Sequence, residues 1–136
     1  MNILLDGNEY ATSGKLNVFE QLNLARKLGS ALAVIEGMTD SENASKDKTL
    51  LSVLMLSNIS DADSDFVVKK CLSVVTRKQN AGYAKIQTSE GHMMFNDISL
   101  AVMLELTVSV IEENLGDFFR TALGGLRAET AGSQSL

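Results

Sequence analysis

The sequence predicts a mainly α, α+β domain: four main helices, an N-terminal β-hairpin, and a second β-hairpin between helices three and four. Three observations point there. Capped stretches carry apolar residues at helical spacing. The chain contains no proline, the strongest helix breaker. Two Gly-containing turns, Asp6-Gly7 and Ser89-Glu90-Gly91, are flanked by short apolar runs.

The elements follow in order. Ile3-Leu4-Leu5, Asp6-Gly7-Asn8 and Glu9-Tyr10-Ala11 read as a hairpin, because Asp-Gly suits turns with positive φ. After a break at Ser13-Gly14, Asn17 and Glu20 have the spacing of a capping box. The first helix then runs from Val18 to about Glu36, with Phe19, Leu22, Ala25, Leu28, Leu32 and Ile35 as one apolar stripe and Gly37 as its stop. The polar stretch Met38 to Lys48 reads as a mobile loop. Thr49 to Ile59 is a short helix, or alternatively a strand. It is apolar nearly all round, and so is to be buried or covered by a partner. Ser60 to Asp63 supplies cap residues for a third helix to about Lys78, with Val67, Val68, Cys71, Leu72, Val74 and Val75 inward.

Asn80-Ala81-Gly82 breaks that pattern. Tyr83 to Thr88 and His92 to Phe95 read as the second hairpin. Asn96 or Asp97 caps the most apolar helix, Ile98 to about Asn114, which should be the most buried element; Leu104→Ala there is expected to cost roughly 2–5 kcal/mol. A short last helix from Asp117 carries Phe118 and Phe119 and stops at Gly124-Gly125. Residues 1–126 form one domain and 127–136 a disordered tail.

Composition bounds the function. The 136 residues fit a single core, and 45% of them are hydrophobic, too many for a disordered chain. The net charge of −5 argues against nucleic acid as the partner, since phosphate binding needs clustered surplus cations. The pairs Arg26-Lys27, Lys69-Lys70 and Arg77-Lys78 read as solvated helix faces, the last of them complementing a helix C-terminus. No run is long and apolar enough for a membrane span, and Met1 to Asp6 does not look like a signal peptide.

Candidate chemistry is sparse. With one cysteine and one histidine there is neither a disulfide nor a zinc set, and no cofactor is implied. Cys71 falls on an inward stripe, where Cys packs as a small hydrophobe. His92 sits unremarkably in a hairpin. Asp61, Asp63 and Asp65 alternate as in a calcium loop, but Phe66 stands where its Gly belongs and Leu72 where its Glu belongs; helix capping explains them. Glu112-Glu113 reads as a solvated helix end. What remains is apolar excess. Six methionines, with Met93, Met94 and Phe95 on a hairpin and Phe118 and Phe119 near the end, are either core or an adaptable protein-binding surface.

Several segments, taken in their order, resemble a family of tail assembly chaperones from long-tailed bacteriophages. They are Asn2 to Ala11, Leu16 to Leu28, Cys71 to Lys78, Met94 to Ile98 and Asn114 to Phe119. Together they span most of the chain, and none is a catalytic motif. The stretch Met38 to Lys48 and the tail after Leu126 lie outside the resemblance. It implies a non-enzymatic protein of the host bacterial cytoplasm, absent from the finished virion. Such a protein binds the tape-measure protein, keeps it soluble and helps recruit tail-tube protein. Many copies on one extended client would make use of weak self-association as a homo-oligomer, and the sequence leaves the oligomeric state open. The alternatives from other classes are a small regulatory or inhibitory phage protein acting on a host factor, and an enzyme using Cys71.

Overall fold

The computed structural model describes residues 2–12, 15–31 and 48–116, and every structural statement below concerns these. Strands β1 (Asn2–Leu5) and β2 (Asn8–Thr12) are followed by helix α1 (Val18–Leu28), a single 3-10 turn at Gly29–Ala31, and helices α2 (Lys48–Leu56) and α3 (Asp61–Leu72). Strands β3 (Val75–Gln79) and β4 (Gly82–Lys85) come next, and residues 100–116 form a helix, α4.

Local chemistry accounts for the well-defined turns. Leu5 pairs with Asn8, which leaves Asp6-Gly7 as a two-residue loop with φ of 51° and 77°. That double positive φ matches the right-handed twist of the flanking strands. At α1 the capping box is complete: Asn17 Oδ1 accepts from the Glu20 N–H at 2.9 Å, and Glu20 Oε1 accepts from the Asn17 N–H at 3.2 Å. Asn17→Ala should therefore lower unfolding stability by about 1 kcal/mol. Chemical denaturation of the two proteins measures it, with no change expected in the sheet.

The expected architecture requires correction. The two hairpins are not separate trimmings on a helical domain. β2 pairs with β3, so all four strands form one antiparallel sheet in the order β1-β2-β3-β4. The second hairpin is also displaced along the chain. Its strands are β3 and β4 around Asn80-Ala81, with Gln79 opposite Gly82. Tyr83 to Thr88 and His92 to Phe95 do not form a ladder of strands: they are joined by the isolated bridge between Gln87 and Met93 and by a few hydrogen bonds around it. Accordingly α3 ends at Leu72 and not near Lys78. The cause is long-range. Val74, Val75 and Thr76 are β-branched and fit either period, and pairing of 75–77 with 10–12 decides for strand.

The other bounds shift less. α1 stops at Leu28 and α2 at Leu56, earlier than expected. α4 begins at residue 100, where Ser99 Oγ accepts from the Val102 N–H at 3.2 Å; neither Asn96 nor Asp97 is the cap. The expected inner stripe of α1 is split as well. Leu24 and Leu28 are buried and Ala25 is half-buried, whereas Phe19 and Leu22 face outward. Leu32, Ile35, the expected loop from Met38, the last short helix and the C-terminal tail lie outside the described residues.

The core is organised on α4. From Leu106 to Ile111 every residue is buried, so the helix is enclosed on all sides along that stretch. Leu106, Val108 and Ile111 belong to one cluster with Leu24 and Leu28 of α1, Met55 of α2, Val67 and Cys71 of α3, and Tyr10 and Val75 of the sheet. Two polar side chains of α4 carried into this core bond within the helix. Thr107 Oγ1 donates to the Met103 carbonyl at 2.8 Å, and Asn114 Nδ2 donates to that of Val110 at 2.9 Å. Asn114 Oδ1 accepts the Leu16 N–H at 2.9 Å, tying the approach to α1 onto α4.

Candidate interaction surface

The residues that could carry chemistry are spread apart. Cys71 is fully buried in the core, and burial pushes its thiol far above the ordinary range, so it stays protonated. His92 is exposed; its Nε2 lies 3.8 Å from Glu90 Oε2, on the surface. Asp61 and Asp63 sit in the first turn of α3 behind the cap Ser60, whose Oγ accepts the Asp63 N–H at 3.1 Å. Among the described residues no group of three or more His, Cys, Asp or Glu side chains could hold a metal ion. Glu112 and Glu113 are half-buried, not solvated, and Glu113 Oε1 accepts from Thr12 Oγ1 at 3.1 Å.

Apolar exposure is the feature that stands out. Met93 is 37% exposed and Met94 57%, on the segment between β4 and α4. This segment is braced from both ends. Thr88 and His92 exchange hydrogen bonds, the Met94 N–H donates to the Ile86 carbonyl at 2.7 Å, and Gln87 Nε2 reaches the Lys69 carbonyl at 2.9 Å. Phe95, expected beside the methionines, is instead half-buried. The Arg77 guanidinium lies over its ring at 4.5 Å, a cation–π contact. Phe118 and Phe119 lie outside the described residues.

Arg77 does more than was read from the sequence. It belongs to β3 and not to a helix end, it is nearly buried, and it stands opposite Tyr10 in the sheet. Its two terminal nitrogens grip Asp97 at 2.6 and 2.9 Å, a bidentate pair that clamps the Met93–Asp97 segment to β3. The Arg77 guanidinium holds the Asp97 carboxyl below the usual carboxylate range. A carboxylate whose folded pKa is depressed stabilises the fold above its unfolded pKa of about 3.9, and that stability is lost as pH falls through the lower folded value. The stability gap between the wild type and Asp97→Asn should thus close as pH drops below about 4. Urea midpoints measured across the acid range follow it, and a gap independent of pH would contradict the clamp.

Two helices add exposed apolar side chains: Phe19 and Leu22 of α1, expected on its inward stripe, Val18 beside them, and residues of α2, which is apolar nearly all round. On α1, Val18 is 70%, Phe19 74% and Leu22 45% exposed. On α2, Leu50, Val53 and Leu54 are exposed at spacings of three and four. The signal available in the sequence was a surplus: α1 offers six apolar residues in eleven, more than one face can bury. α1 is nonetheless held firmly against α3. Lys70 Nζ lies 3.0 Å from Glu20 Oε2 and Lys27 Nζ 3.1 Å from Asp63 Oδ1, with both ammonium groups within 6 Å of the Phe66 ring centre (5.6 and 5.9 Å). The Lys70 ammonium and the Asn17 N–H hold the Glu20 carboxyl below its ordinary range.

Exposed apolar side chains on α1, on α2 and at Met93 and Met94 are thus the main feature of the described surface. Comparison with known proteins adds one finding. A family model described as "Phage tail assembly chaperone protein, TAC" matches residues 6–127, nearly the whole chain. No curated protein and no solved structure matches it.

Proposed function

The chain belongs to the phage tail assembly chaperone family, and from that premise we propose that it binds the tape-measure protein, keeps it soluble, and helps recruit tail-tube protein. It acts in the host bacterial cytoplasm by binding without turnover and does not enter the finished virion. The observation that carries this reading beyond the family is the exposure of Met93 and Met94 on a segment clamped by Arg77 and Asp97. Methionine is unbranched and polarisable, so a braced methionine pair can fit the changing apolar seam of a long helical client. Phe95, half-buried with the Arg77 guanidinium over its ring, and Phe118 and Phe119 of the sequence are proposed as further contact residues.

Several features support the reading from other sides. The net charge of −5 disfavours nucleic acid as a competing partner. Among the described residues no helix is long and apolar enough to cross a membrane. Copies bound side by side on one extended client would need only weak contacts with one another, because tethering raises their effective concentration.

Affinity-tagged chain co-expressed with the tape-measure protein of the same genome should copurify with it, and Met93→Ser/Met94→Ser should weaken that capture while leaving thermal unfolding unchanged. No complex with the wild type would reject the reading. Toxicity or altered host regulation on expression alone would favour a regulatory protein instead.

A further inference from the structure

We propose that the outer face of α1 is a second docking surface, and that its occupant is an amphipathic client helix bearing acidic residues beside its apolar seam. This deepens the chaperone reading and rests on it. The inner face of α1 is spent on the core through Leu24 and Leu28, and its flanks on α3 through Glu20 and Lys27. That leaves Val18, Phe19, Leu22, Asn23 and Arg26 pointing out, at the spacings by which one helix packs on another.

The face is preformed. The capping box fixes its first turn, and two ion pairs to α3 fix its orientation, so docking orders little that is not already ordered. Phe19 stands at its centre, in a chain with five phenylalanines and no tryptophan, as an aromatic anchor.

Charge selects the occupant. Lys15 precedes the face and Arg26 ends it, and neither has an ion-pair partner among the described residues. The one acidic side chain of α1, Glu20, is turned to Lys70. The surface is thus apolar and locally positive on a chain of net charge −5. Its complement is an apolar seam with carboxylates alongside. A second copy fits less well. Three apolar side chains bury on the order of 400 Å² per partner, about half of what a stable pair of proteins needs. A long client instead presents many such seams, and weak sites add along it.

The test uses the full chain and two labelled synthetic helical peptides with the same leucine seam, flanked by Glu in one and by Lys in the other. Fluorescence anisotropy should show the Glu peptide binding at least about tenfold tighter. Phe19→Ser should weaken it by about tenfold or more, and Arg26→Glu should reverse the preference. Both residues are exposed, and unchanged thermal melts certify the fold. Equal binding of the two peptides, or indifference to both substitutions, overturns the proposal. Sedimentation that shows a dimer dissolved by Phe19→Ser overturns it in favour of a second copy. If wild-type chain fails to capture the tape-measure protein, the chaperone reading falls. If wild type and Phe19→Ser capture it equally, only the role of α1 falls.

Discussion

Leu106→Ala should lower the unfolding free energy by about 2–5 kcal/mol. Leu106 is 1% exposed at the start of the stretch of α4 that is enclosed on every side. Truncation there removes buried methyl groups and leaves a cavity that a helix held by sheet and helices alike cannot close. Leu104, at 6% exposure, sits nearer the edge, and Leu104→Ala should fall lower in the same range. Urea denaturation of the two variants orders them. A loss under about 1 kcal/mol for Leu106→Ala would mean that α4 is not the centre of the core.

Cys71 should resist thiol reagents until the protein unfolds. Its side chain is fully buried, and burial keeps it in the unreactive thiol form. Labelling must then wait for opening. For a domain of ordinary stability that slows it by on the order of a thousandfold or more against the denatured chain. Timed labelling with a coloured disulfide reagent, with and without denaturant, measures the ratio. Rapid reaction of the native protein would return an enzyme using Cys71 to contention. Slow reaction removes it, because a nucleophile must meet its substrate as a thiolate.

What could be read in the sequence was what neighbours along the chain decide. The Asp6-Gly7 turn and the Asn17–Glu20 capping box depend on four residues each, and both stand as expected. What could not be read depends on partners far away. Nothing near Val75 shows that Thr12 will lie opposite it, so Val74 to Lys78 looked like the end of a helix. The same misplacement hid Arg77. On a helix end it would be a solvated cation; in β3 it is a nearly buried one, paired with Asp97, a residue that local sequence offers only as a helix cap. On the surface, the sequence left Met93 and Met94 as either core or contact surface, and it is the structure that shows them exposed. Phe19 and Leu22 did not read as surface, because outward and inward apolar residues share one helical period when a helix has too many of them.

The soluble fraction of the tape-measure protein in cells is the most direct measure of the central claim. Co-expression with the wild-type chain should move the tape-measure protein from pellet to supernatant after centrifugation, and Met93→Ser/Met94→Ser should leave much of it in the pellet. A tape-measure protein whose solubility is the same with and without this chain would contradict the claim.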